Sequence, residues 1–379
     1  MAARKTQQSP LEQSDLSTRK AQHLEICLEE EDYAVESGST GFEQLSFIHR
    51  AIPEVAMEEL DTTVDFLGYR SRLPLFISSM TGGSAEGYKV NKQLAEAAQQ
   101  AGIPVGMGSI RILFRKPEVL DHFRLKRLAP DVPVFANIGG VQLREMDHGE
   151  IVEMTRRLEV DGIVVHLNPG QELFQPDGDR DFRGVLDGIE AFCERSPIPV
   201  MVKETGFGIS PSLVRDLLAR GVRYVNIAGS GGTNWVRVES HRLPEEDRAA
   251  AEEFDAWGLP TAVVLAALAE GGRGDETAGR ILASGGMRSG LDLARATALG
   301  AELSGYALPM VRAVKRSGVE GVLRYIDRLE TVLRNVMVLT GSRSLPELRG
   351  RRLMQSRGFR DAVTSLIEAD AADSGEAWT

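Results

Sequence analysis

From about residue 72 the chain repeats one unit, a short apolar run ending in small or polar residues and then a stretch with helical spacing. The apolar runs fall at 75–79, 104–109, 134–138, 162–168, 199–204, 224–229, 280–284 and 302–308. Runs this short and this rich in Val, Ile and Leu read as strands buried on both faces, as in a parallel sheet. Amphipathic stretches separate them at 91–101, 117–128, 144–158, 182–194, 211–220, 261–269 and 291–299. In the first of these Leu94, Ala97, Ala98 and Ala101 keep the three-and-four spacing of one helix face. Gly102, Gly221 and Gly300 follow three of the helices, where a left-handed cap residue belongs. Eight such units over about 270 residues predict an α/β fold of the (β/α)8, or TIM barrel, type. A doubly wound open sheet usually has fewer strands, and no dinucleotide fingerprint follows the first strand.

The flanks divide the chain further. Residues 1–17, rich in Gln and Ser, predict a disordered N-terminus. Residues 18–71 predict an arm or lid, irregular over 39–70, and residues 72–345 the barrel. Residues 346–379 predict a tail with a helical patch and a polar, acidic end. One connection, 231–258 after strand six, is unusually long and carries Trp235, Phe254 and Trp257. A long loop on the catalytic face of a barrel is more often functional than idle.

Charge and cysteine usage exclude whole classes. A net charge of -11 argues against a nucleic-acid binder and against docking on an anionic membrane. A local cluster such as Arg19, Lys20 and His23 can still bind a small anion. Two cysteines, Cys27 and Cys193, supply neither a disulfide framework nor a cysteine zinc site, and a cytoplasmic setting fits. The polar N-terminus has no apolar signal core, and no apolar run reaches the length of a membrane span.

In a barrel of this type the reacting groups sit where the strands end. Strand four ends in His166-Leu167-Asn168-Pro169-Gly170-Gln171-Glu172. On an extended strand His166 and Asn168 point to one face, and Pro169-Gly170 then turns the chain. An imidazole, two carboxamides and a carboxylate thus gather at one strand end. Strand one ends in Ser79-Met80-Thr81-Gly82-Gly83, strand two in Gly108-Ser109-Ile110-Arg111, strand three in Asn137 and strand five in Lys203-Glu204. Strand six runs into Gly231-Gly232-Thr233, strand seven into Ser284-Gly285-Gly286-Met287 and strand eight into Ala307-Leu308. Loops after strands seven and eight commonly make a phosphate site from backbone N–H groups. These glycines fit a phosphorylated ligand, of which flavin mononucleotide (FMN) is one.

In this order and spacing, together with Arg19-Lys20-x-x-His23, the motifs resemble those of the type 2, flavin-dependent isopentenyl-diphosphate isomerases. The resemblance runs from Arg19 to about Gly341. It implies FMN held by Met80, Thr81, Gly82, Ser109, Asn137, Lys203, Thr233, Gly285, Gly286, Met287, Ala307 and Leu308. It implies substrate contacts from Arg19, Lys20, His23, Ser109, Arg111, His166, Asn168 and Gln171, with Mg2+ on Glu172. His166, Gln171 and Lys203 are the residues expected closest to the chemistry. Members of the family commonly carry Gln where this chain has Ile110, and an apolar side chain cannot donate to a diphosphate.

The implied reaction shifts a double bond, turning isopentenyl diphosphate into dimethylallyl diphosphate for isoprenoid synthesis. Reduced flavin is expected to carry the proton without net redox change, after priming by a reduced nicotinamide such as NADPH. A homo-oligomer, tetramer or octamer, is also implied. Two rivals share the barrel. A 2-hydroxyacid oxidase would need His241 as its base, and an inosine-phosphate dehydrogenase would need a loop cysteine. A third reading is a non-catalytic flavin-binding regulator.

Overall fold

Ser304 pairs with Leu75, and that register joins the last barrel strand to the first. The computed structural model describes residues 16–29, 33–80, 82, 84–271 and 277–373. Eight parallel strands form the closed barrel: Leu75–Ile77, Val105–Gly106, Val134–Gly139, Gly162–His166, Val200–Lys203, Tyr224–Asn226, Ile281–Ala283 and Leu303–Tyr306. They follow one another around the barrel in chain order, and they are numbered one to eight below. Nearly every strand residue is buried, because side chains fill the interior on one face and the outer helices cover the other.

The helices differ from the expected spans in instructive ways. The first, Ala85–Ala101, starts earlier than its apolar spacing shows, because the Ser84 side chain accepts from Gly87 N and caps it. The stretch 117–128 is two 3-10 segments, Pro117–Phe123 and Leu125–Arg127, and 144–158 is split into Gly140–Glu145 and His148–Leu158. Asp147 causes the split by capping the second piece, accepting from Glu150 N. The long connection after strand six carries two helices, Trp235–Ser240 and Glu245–Glu252. Strand eight leads into Leu308–Thr340, kinked at Ser317 and Gly318.

Residues 39–70 are not simply an irregular arm. Leu45–Phe47 pairs antiparallel with Leu353–Gln355, so the arm and the tail form one small sheet. Val64–Phe66 and Tyr69–Ser71 form a hairpin at the amino-terminal end of the barrel. There Phe66 packs on Phe135 and Tyr224, and Tyr69 donates to Asp161 at 2.8 Å. The tail continues as the helix Arg357–Asp373. Of the stretch expected to be disordered, residues 1–15 lie outside the described residues, as does the acidic end 374–379.

The helix Leu16–Leu28 crosses the opposite, carboxyl end of the barrel. Its inner face and Val35 form a second apolar cluster with Val238 and Leu308, against which Met80 and Trp235 pack. The arm is therefore held on the mouth of its own barrel. Among the described residues no helix is long and apolar enough to cross a membrane.

Candidate active site

A cavity of about 200 Å3 opens at the carboxyl ends of the strands, roofed by the Leu16–Leu28 helix. Every site residue expected from the sequence lines it except Thr81, which lies outside the described residues. The residues come from all eight strand ends and from the arm, so closure of the barrel is what brings them together.

One end of the cavity is cationic. Arg19, Lys20 and Arg111 line it, and Lys20 Nζ donates to Ser109 O at 3.2 Å. Burial, reinforced by the neighbouring charges of Arg19 and Arg111, pushes Lys20 down to about 8. An anion placed among these three cations would relieve that repulsion. Ile110 does not face the cavity. It is buried in the main core and starts a 3-10 turn capped by Ser109, so it leaves a missing donor rather than an obstruction.

The middle is built by strands three to five. His166 stands between Gly139 and Lys203 in the sheet register. Its Nδ1 lies 2.6 Å from Asn137 Oδ1. A carboxamide oxygen only accepts, so Nδ1 carries the proton and Nε2 keeps a lone pair. Burial first, then the charges of Lys203 and Lys20, push His166 down to about 3, which keeps it neutral at physiological pH.

Strand four stops at His166, and Asn168 does not continue it. Asn168 instead precedes a short helix, Pro169–Phe174, in which proline takes the first turn, where its missing N–H costs nothing. Gln171 and Glu172 thus sit on a helix and not in a loose turn. Asn168 Nδ2 donates to Gln171 Oε1 at 3.1 Å and to Glu172 Oε1 at 3.0 Å. Glu172 Oε2 accepts from Asp179 N at 2.9 Å.

The opposite end is lined by glycine turns. Gly285 and Gly286 have φ of +92° and +70°, left-handed backbone that glycine adopts without strain. Among the described residues, none of the backbone N–H groups of 285–287 donates to another protein group. A Cβ on Gly286 would lie 2.2 Å from Thr40 Cγ2, so no larger residue fits. Three unclaimed N–H groups beside a helix N-terminus at Ala307 and Leu308 are the donor set a phosphate needs, and FMN fits this end. Lys203, pushed down to about 8 mainly by burial, lies between this end and His166.

Glu239, which contacts the lining residues His23 and Gln171, was not singled out by the sequence. Glu239 is fully buried and joins the arm to the barrel. It accepts from His23 Nε2 and Gln171 Nε2, both at 2.9 Å, and pairs with Arg242. Burial pushes its carboxyl up, but these hydrogen bonds and the Arg242 charge outweigh burial and hold it below the usual range. Its only sequence signal is the Glu-Arg spacing of three in the long loop. Trp235 packs edge-on against His23 at 5.5 Å. Glu204, raised to about 7 by burial against the pull of backbone N–H groups, accepts from Gly206 N at 2.5 Å and shapes the loop after strand five.

The rival centres are elsewhere. His241 does not line the cavity but stacks edge-on against Tyr33 at 5.0 Å. Neither Cys27 nor Cys193 lines it, and burial pushes Cys27 up to about 12.

Fold and site together define a (β/α)8 barrel enzyme of the FMN-binding class. The FMN-dependent dehydrogenase family model matches residues 14–113 and 181–355. An isopentenyl-diphosphate delta-isomerase of Borrelia garinii subsp. bavariensis is 43% identical, covering 89% of this chain and 93% of that protein. One from Pyrococcus abyssi is 39% identical, covering 93% of this chain and 96% of that protein. This chain belongs to the isopentenyl-diphosphate delta-isomerases, in their type 2, FMN-dependent form. Solved structures of a mandelate oxidase and a flavocytochrome B2 share the fold alone. The first is 18% identical with a TM-score of 0.59 over 89% of this chain and 97% of that one. The second is 17% identical with a TM-score of 0.63 over 91% and 84%.

Proposed function

We propose that the chain converts isopentenyl diphosphate to dimethylallyl diphosphate, with the diphosphate at the cationic end of the cavity and FMN on the glycine turns. One observation carries this reading. A single buried cavity joins three cations at one end to unclaimed backbone N–H groups at the other, with neutral His166 between them. When bound, reduced FMN supplies the proton transfer to and from the carbon skeleton.

The chain's own residues position and shield. Arg19, Lys20, His23 and Arg111 hold the diphosphate, and the arm helix excludes water from a site where a tertiary carbocation would otherwise be captured. Ser109, through its backbone carbonyl, fixes Lys20. His166, Asn168 and Gln171 orient the substrate. His166 presents an unprotonated Nε2 and needs no charge change to do so. Met80, Gly82, Asn137, Lys203, Thr233, Gly285, Gly286, Met287, Ala307 and Leu308 hold FMN, and Thr81 completes the motif. The Lys203 charge favours an anionic ring edge.

Glu172 would hold Mg2+. No group of three or more Asp, Glu, His or Cys that could hold a metal exists among the described residues, so no all-protein cage forms. One carboxylate, completed by waters and diphosphate oxygens, is the donor set magnesium prefers. A reduced nicotinamide such as NADPH primes the flavin. A cytoplasmic setting fits the free thiols of Cys27 and Cys193. A homo-oligomer fits the exposed apolar side chains Ile48, Ile52 and Leu339, brought near one another where Arg50 N donates to Leu339 O, and Met354 on the adjoining small sheet.

Incubating the FMN-loaded, reduced protein with isopentenyl diphosphate tests the reading. Dimethylallyl diphosphate forms only after reduction and only with Mg2+. Oxygen consumption with a 2-hydroxy acid, and no isomerisation, would reverse it.

A further inference from the structure

The arm does more than roof the cavity. Residues 35–37 run antiparallel to the loop after strand six, with Asn234 N donating to Val35 O at 2.9 Å and Ser37 N to Gly232 O at 3.1 Å. Glu36 stands at the centre of this pairing, opposite Thr233. Its carboxylate accepts from Arg288 Nε at 2.9 Å and from Arg288 Nη2, and it accepts from Arg312 Nη1 at 3.0 Å. Arg288 then donates from Nη1 to Met287 O at 2.7 Å. Met287 belongs to the turn whose N–H groups are unclaimed. A carboxylate from the arm therefore fixes an arginine, and that arginine fixes the carbonyl of the glycine turn. On the other side Thr40 abuts Gly231 and Gly286, where an added Cβ would lie 2.2 Å from its N and its Cγ2.

We infer that Glu36 is a positioning residue for the flavin phosphate, acting through Arg288 and the Met287 carbonyl. The inference rests on the reading that the 285–287 turn holds that phosphate. Two effects oppose each other when the Glu36 charge is removed. The surroundings become more positive, which favours a dianion. Arg288 loses both contacts to a charged acceptor, which frees the Met287 carbonyl and the turn beneath it. Glu36 and Arg288 are partly exposed, so the charge effect is screened, whereas converging N–H groups require fixed geometry. Loss of geometry dominates.

The test compares FMN with riboflavin, which has the same ring and no phosphate. Both are titrated by flavin fluorescence into the full chain stripped of flavin, as wild type, Glu36→Gln and Glu36→Asp. In wild type FMN binds much more tightly than riboflavin. In Glu36→Gln the FMN Kd rises roughly tenfold, the scale of one charge-assisted hydrogen bond. The riboflavin Kd stays within about twofold in the same variant, since the ring site is intact. Glu36→Asp keeps the charge and the fold but is too short to bridge both arginines, and it shows the same phosphate-selective loss. Unchanged or tighter FMN binding in both variants would overturn the inference, and so would a parallel loss of riboflavin, which marks a merely structural role. Equal affinities for FMN and riboflavin in wild type would overturn the cradle reading itself, and the role of Glu36 with it.

Discussion

Gln171 Nε2 and Glu239 Oε1 meet at 2.9 Å although 68 residues separate them in the chain. The contact joins the helix after strand four to the loop after strand six, and His23 adds the arm to the same carboxylate. Arm, substrate helix and long loop are thus tied through one buried oxygen. This hub decides how firmly the cationic roof sits on the cavity.

Replacing Glu239 by Gln is the direct probe of that tie. The variant loses the charge that faces His23 and Arg242, and leaving a buried ion-pair partner uncompensated costs ~3–5 kcal/mol. The expected result is a KM for isopentenyl diphosphate raised by at least about tenfold and a lower melting temperature. Steady-state kinetics and a thermal melt read both. A wild-type KM would show that the arm docks without this carboxylate.

His166 is cast as a positioning group, and burial beside two lysines holds it neutral. Its ring should show no protonation between pH 5 and pH 8 when followed by NMR, since it titrates only near 3. His166→Ala should raise KM and leave substantial turnover at saturating substrate and Mg2+. Abolished turnover with intact substrate affinity would instead make it an acid–base residue.

Glu172→Gln keeps the shape and the hydrogen bond from Asp179 N but removes the anionic ligand. The Mg2+ concentration giving half-maximal activity should rise at least about tenfold, as expected when a metal's protein ligand is weakened. FMN binding should not change, because the glycine turns lie at the other end. An unaltered Mg2+ requirement would remove Glu172 from the metal site.

Lys20 sets a pH limit on anion binding. Its folded pKa, lowered to about 8 by burial and by Arg19 and Arg111, means the cation is present below that pH and lost above it. The affinity for inorganic pyrophosphate, measured by calorimetry on the FMN-loaded protein, should fall as pH rises through about 8. Lys20→Arg keeps its charge, so its affinity should stay level over the same range. The same decline in both proteins would place the titrating group elsewhere.

The barrel was legible because its repeat is local. Each strand is announced by its own apolar run and each helix by its own spacing, and eight such units have one closed solution. The expected site residues were legible for the same reason, since strand ends can be counted along the chain and the fold gathers them. Asn168 shows where local reading fails. Two-residue spacing predicts a shared strand face, but proline starts a helix at once and takes the carboxamide off the strand.

The sequence by itself therefore determined the architecture, the family and the strand-end motifs that line the cavity. The tertiary structure alone decided how the arm engages. Glu239 and Glu36 sit in stretches that look like ordinary charged surface, because a buried carboxylate is recognised only by the partners that surround it. Those partners, His23, Gln171 and Arg242 for one and Arg288 and Arg312 for the other, come mostly from distant parts of the chain. Only closure of the barrel and docking of the arm bring them within hydrogen-bond reach.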